Sequence, residues 1–246
     1  MGFELNDRVI GLNVQLQAFM DKHIYPREHD WHEWCLDQDN LWVTPPWFDE
    51  LRELAKAEGL WNLFLPREYA PWSPGLSNVE IAPLFETMSK VLWAQPVFNC
   101  NAPDRGNMEV LAKYGTEAQQ KQWLDPLLAG EIRSAYAMTE PQVASSDATN
   151  MELEITRDGD EYVLNGRKWW TTGAINPRCK IMLVMGKSNP ENPRHRQHST
   201  ILVPRDTPGI TLVRPLRVFD SLHSPGGEAE LLFENVRVPV TNMIKG

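Results

Sequence analysis

The chain has 246 residues, 42% of them hydrophobic, with 24 lysines and arginines against 33 aspartates and glutamates and a net charge of -9. That length can fill one large core or two ordinary ones, and with no block of basic residues to track phosphates a nucleic acid is not an expected partner. Cys35, Cys100 and Cys179 lie far apart without a Cys-x-x-Cys pair, which argues against a disulfide framework or a zinc ribbon and favours a reducing compartment.

The first residues, MGFELNDRVIGLN, show no basic segment ahead of an apolar one, and Asn6 stands where a myristoylation signal needs Ser or Thr. No stretch approaches a membrane span. A soluble, cytoplasmic protein is expected.

Helical spacing runs from the start to about residue 132. In DRVIGLNVQLQAFMDKHIYP the apolar positions Val9, Ile10, Leu12, Val14, Leu16, Phe19 and Met20 recur every three to four residues, with Asp7 as the cap and Pro26 just beyond the end. The run PPWFDELRELAKAEGL predicts a second helix, opened by prolines and closed by Gly59. SNVEIAPLFETMSKVLWA predicts a third, with Ser77 and Glu80 as a capping box. Two shorter helices fit GNMEVLAKYG and TEAQQKQWLDPLLAG, the latter capped by Thr116 and stopped by Gly130. His29, His32 and Cys35 could share a helix face, but a zinc site needs four converging ligands and no second pair stands nearby. A solvated helix end or loop is the better reading.

From residue 133 the period changes to short alternating or β-branched runs: MELEITR, EYVLNGRKWWTTG, KIMLVMG, STILVPR, GITLVRPL and EAELLFENVRVP. Asp158-Gly159 and Asn165-Gly166 suit tight hairpin turns. KSNPENPRHRQHS reads as a surface loop between two strands, although Arg194, His195, Arg196 and His198 could also meet a phosphate. The expected fold class is α+β: an antiparallel helical domain over 1–132, then a small β-barrel or sandwich over 133–246.

Two segments could carry chemistry. In AYAMTEPQVASSDATN, Tyr136 and Met138 alternate with Ala137 and Thr139, and Ser145, Ser146 and Asp147 offer hydroxyls and backbone N–H groups of the kind that bind phosphate. On residue chemistry alone this is an Asx-rich turn more often than a binding loop. In NGRKWWTTG, alternation puts Trp170 and Thr172 on one face, where a flat ring and a hydroxyl could cover and bond a planar heterocycle; a barrel core would use tryptophan equally well.

Together, YAMTEPQVASSD, NGRKWWTTG, FENVRVP near NMIKG, and YGTEAQQKQWLDPLLAGE, in the family's order, make the chain resemble the first two domains of an acyl-CoA dehydrogenase. Within that family it looks most like the branch that includes animal proteins joining a kinase-like domain to the dehydrogenase. The resemblance implies flavin-dependent α,β-dehydrogenation of an acyl-CoA thioester, with FAD as cofactor, electron-transferring flavoprotein as acceptor, and a homo-oligomer at full length. Met138 and Thr139 would then meet the pyrimidine side of the flavin, Trp170 would flank it, and Thr172 would donate near N5 and O4, with Tyr136 and Thr171 beside them in the same motifs. Ser146 would sit where the cofactor pyrophosphate and the acyl-CoA approach each other. The family usually has a glycine before that serine and one residue fewer in the turn, so Ser145 and Ser146 both remain open for this place. The family's glutamate base belongs to a third, helical domain beyond the barrel, so the resemblance implies a fragment without turnover by itself, with Glu140 holding its loop. A non-catalytic module for an acyl-CoA or a partner, and a flavin oxidase or monooxygenase, are the alternatives.

Overall fold

A computed structural model describes residues 4–222 and 226–245. The chain divides into two compact units, Met1–Glu109 and Val110–Gly246.

The first unit is helical. α1 (Asp7–Phe19) is capped by Asn6, whose Oδ1 accepts from the Val9 N–H at 3.0 Å, so the capping residue is one position earlier than the expected Asp7. Its buried stripe is narrower than the sequence suggests: Val9, Leu16 and Phe19 are inside, whereas Ile10 and Val14 are exposed. Pro26 does not end the helical path. A π turn (Met20–Ile24) and a 3-10 turn (Tyr25–Arg27) lead into α2 (Glu28–Leu36), because a proline early in a tight turn gives up an N–H that has no partner to lose. α3 (Trp47–Ala57) follows the two prolines as expected, and α4 (Asn78–Met88) carries the full Ser77–Glu80 capping box. The core includes a T-shaped pair of Phe19 and Phe98 with ring centroids 5.3 Å apart, and a stacked pair of Trp31 and Trp93 at the same separation.

α5 (Asp104–Tyr114) spans the boundary between the units. α6 (Glu117–Gln119) has a second capping box, Thr116 with Gln119, and continues through a π turn into α7 (Asp125–Ala129), which Gly130 closes at φ 72°. Gln119 also reaches the far end of the sequence: its Nε2 donates to the carbonyls of Thr241 and Met243 at 2.8 and 3.2 Å.

The β region is one curled, seven-stranded sheet, a half-barrel whose strand path is β1-β4-β2-β3-β7-β6 with β5 on β4. Its strands are β1 (Arg133–Ala137), β2 (Glu154–Asp158), β3 (Glu161–Thr172), β4 (Cys179–Lys187), β5 (His198–Pro204), β6 (Ile210–Leu216) and β7 (Glu228–Pro239). Leu153, Ile155, Val184, Val203, Leu231 and Phe233 are among the residues packed inside the curl. The expected hairpin at Asp158-Gly159 joins β2 to β3, with Gly159 at φ 62°. Asn165-Gly166 is not a turn. It lies within β3 at a register shift against β7, with Gly166 at φ 148° and a Cβ at that position falling 2.8 Å from Leu153 Cα, so close packing against Leu153, just ahead of β2, is what requires the glycine. The KSNPENPRHRQHS stretch links the antiparallel β4 and β5, but His198 belongs to β5 rather than to the loop.

Candidate functional site

Where β1 ends, the chain turns across β3 and the two chemistry-bearing motifs lock together. The Trp169 N–H donates to the Thr139 carbonyl, and the Thr139 hydroxyl donates back to the Trp169 carbonyl, both at 3.0 Å. Beneath this pair lies Lys168, fully buried, whose Nζ donates to the Met138 carbonyl at 2.6 Å and to Glu140 Oε1 at 2.8 Å. Glu140, 3% exposed, accepts in addition from the N–H groups of Glu152 and Leu153 at 2.8 and 2.9 Å. Burial lowers the Lys168 pKa to about 8, against the upward pull of the Glu140 hydrogen bond and charge. Glu140 therefore holds the loop, as expected, and its oxygens are committed to that task. The sequence offered no signal for Lys168, since a lysine at the centre of a strand reads as solvent-facing.

β3 does not keep strict alternation here. Lys168 and Thr171 are three apart and both fully buried, which a two-residue period forbids; a bulge between them absorbs the extra residue. Trp170 sits in that bulge at φ 49°, its side chain 43% exposed and its ring 6.1 Å from that of Trp169. Thr171, expected beside the cofactor, is buried with a hydroxyl that has no hydrogen-bond partner. Thr172, expected to donate to a ring edge, donates to Glu228 Oε2 at 2.7 Å.

The turn after Glu140 separates the two serines. The buried Ser145 hydroxyl accepts from the Glu140 N–H at 2.6 Å and donates to the Glu140 carbonyl at 3.3 Å, so it is part of the turn's own scaffold. Ser146 is exposed. The Ser145 hydroxyl is thus taken up by the Glu140 backbone as a turn lock, whereas that of Ser146 stands at the surface. Ser145→Ala strands the Glu140 N–H and is expected to cost about 1–3 kcal/mol of folding stability, while Ser146→Ala stays within about 0.5 kcal/mol. Urea denaturation of the two variants measures the difference, and equal losses would contradict the assignment. Asp147 caps the 3-10 turn Ala148–Asn150, and hydrogen bonds from the Thr149 hydroxyl and N–H, with Arg194 at 3.3 Å, hold its carboxyl below the usual range.

Tyr136 lies on the same β1 segment but turns to a different space. Its hydroxyl is 3.9 Å from Met185 Sδ, and both residues line a cavity of about 540 Å³ with Tyr114, His198, Thr200 and Met243. His198 Nε2 is buried there without a partner, and burial followed by the charges of Lys187 and Lys168 lowers its pKa. Arg194, His195 and Arg196 form an exposed 3-10 turn, where Arg194 pairs with Asp147. His29 and His32 are exposed on α2, and among the described residues no three His, Cys, Asp or Glu side chains converge on a metal position.

The comparisons with known proteins agree with this architecture. Residues 12–131 match the family model "Acyl-CoA dehydrogenase, N-terminal domain", and residues 135–236 match "Acyl-CoA dehydrogenase, middle domain". Acyl-CoA dehydrogenase family member 10 of Mus musculus is 51% identical over 98% of this chain and 23% of its own length. A solved structure from Mycobacterium abscessus is 47% identical with a TM-score of 0.93, covering 99% of this chain and 61% of that one. In fold, the chain also matches a glutaryl-CoA dehydrogenase from Mycobacterium smegmatis solved in complex with FADH2, at 22% identity and a TM-score of 0.70 over 97% of this chain and 55% of that one. The chain spans less than two thirds of each of these relatives. With both family models matched in order along a helical unit and a curled β unit, the chain belongs to the acyl-CoA dehydrogenase family.

Proposed function

We propose that the chain supplies the flavin-facing surface of an FAD-dependent enzyme that dehydrogenates an acyl-CoA thioester between its α and β carbons. The observation that carries this reading is Trp170: a large apolar ring left 43% exposed on a strained, positive-φ bulge, beside a rigid Thr139–Trp169 lock. Strain of that kind persists where the surroundings over-determine it, and an exposed flat ring next to fixed polar groups suits a planar heterocycle.

The donor set fits the isoalloxazine and phosphates of FAD. The Thr139 N–H, the exposed Ser146 hydroxyl and the Trp170 ring would hold the cofactor, with the Thr172 hydroxyl able to exchange its Glu228 partner for a ring acceptor. When bound, FAD supplies the acceptor for the β-hydride. The chain's own contribution is placement: hydrogen bonds fix the β1 exit and the Trp170 ring shields one face from water. Glu140 is not the base that removes the α-proton, because Lys168 and two backbone N–H groups occupy its carboxylate.

The test is an FAD titration followed by flavin fluorescence and visible absorbance. The wild-type chain binds FAD with a perturbed flavin spectrum, and Trp170→Ala weakens binding by roughly three- to tenfold, the value of one aromatic stacking contact, with folding intact. A variant that binds as tightly as the wild type would remove Trp170 from the site.

A further inference from the structure

We infer that Lys168 is a positioning residue: by holding the Met138 carbonyl from inside the sheet, it aims the Thr139 N–H outward at the cofactor. The inference rests on the flavin reading above and adds a residue that the flavin does not touch.

The geometry follows from the peptide bond. The Met138 carbonyl and the Thr139 N–H belong to one planar unit and point in opposite directions. Lys168 is fully buried and pulls the carbonyl inward at 2.6 Å, so the N–H faces away from it. Thr139 is held on its other sides as well, its carbonyl by the Trp169 N–H and its hydroxyl on the Trp169 carbonyl. Among the described residues its N–H alone has no acceptor. A half-buried N–H in a fixed peptide without an acceptor is a position kept for a ligand oxygen or nitrogen.

An ammonium suits this task because a charged donor makes a shorter and stronger hydrogen bond than a neutral one. Its own position is fixed in turn by Glu140, which is anchored on the Glu152 and Leu153 N–H groups at the start of β2. Lys168 faces apolar Leu231 across the ladder on β7, Glu140 on the exit loop is its ion-pair partner, and His198 on β5 also senses its charge. Burial brings loss of the Lys168 proton to about pH 8, within easy experimental reach.

The signs separate positioning from plain structural support. The Lys168 pKa is lowered on folding, so the unfolded chain binds more protons above pH 8, and the Lys168 contribution to folding stability rises between pH 7 and 9. Positioning requires the opposite trend in FAD affinity, which falls as the ammonium is lost. A purely structural lysine makes affinity and stability move together.

Met138-Thr139 is the only Met-Thr pair in the chain, so labelling methionine carbonyls with 13C and threonine nitrogens with 15N isolates this peptide as a single NMR signal. The expected result is that this signal titrates near pH 8 in the free protein and that FAD affinity drops roughly fivefold from pH 7 to 9 while stability does not fall. In Lys168→Met/Glu140→Gln, which leaves no unpaired charge inside, the signal no longer titrates and FAD affinity is low and independent of pH. A wild-type signal that stays flat through pH 8, or an affinity unchanged between pH 7 and 9, overturns the proposal. If the wild type binds no FAD at pH 7, the flavin reading fails, and the NMR titration alone decides whether Lys168 controls the peptide.

Discussion

Glu140→Ala is expected to lower folding stability by about 3–5 kcal/mol, the loss typical of breaking a buried ion pair from one side. The side chain is 3% exposed and receives three hydrogen bonds at 2.8, 2.9 and 2.8 Å from Glu152, Leu153 and Lys168. Truncation strands two backbone donors and leaves the Lys168 ammonium with the Met138 carbonyl as its sole acceptor among these contacts. It also removes both influences that raise the Lys168 pKa, so the amine of the variant titrates lower still. Glu140→Gln keeps the shape and one acceptor oxygen but loses the charge, and falls between the two. Denaturant unfolding at pH 7 measures these losses. A cost below about 1 kcal/mol for the alanine variant would mean that the pair does not secure the loop.

Phe233→Ala is expected to lose a similar amount, about 3–5 kcal/mol, for a different reason. Phe233 is 1% exposed at the centre of the half-barrel, on β7 between Gly166 of β3 and Ile210 of β6. Gly166, its partner across the β3–β7 pairing, has no side chain to close over the gap, and Leu153 already packs directly against that glycine. Removal of the Phe233 side chain costs both the transfer of the ring and the cavity left behind. Phe233→Leu retains most of the packing and should lose clearly less. If the alanine and leucine variants unfold alike, the site collapses around the deletion and the packing account is wrong. Neither leucine nor alanine adds a polar group, so the comparison reads packing alone.

Several features of this protein are legible in a few consecutive residues. The Ser77–Glu80 capping box, the Thr116 cap, the Gly130 stop and the Gly159 hairpin all rest on partners within about five positions, and all stand where the sequence puts them. The change of period near Arg133 marks the start of β1 for the same reason, since side-chain periodicity is a property of the local backbone. The family motifs, too, lie in short stretches and name the chain's relatives without any coordinates.

The tertiary structure decided the rest, wherever the partner is distant in sequence. Asn165-Gly166 could be a hairpin turn by its own chemistry, and becomes a bulge because Leu153 packs against it. Ser145 and Ser146 are equivalent on paper and are separated by which hydroxyl the Glu140 backbone takes. Lys168 is polar and mid-strand, yet lies inside because Glu140 and the Met138 carbonyl, 28 and 30 residues away, meet it there. A charged or hydroxyl side chain enters the interior only where the fold delivers its hydrogen-bonding partners, and no local pattern records where a distant strand will bring them.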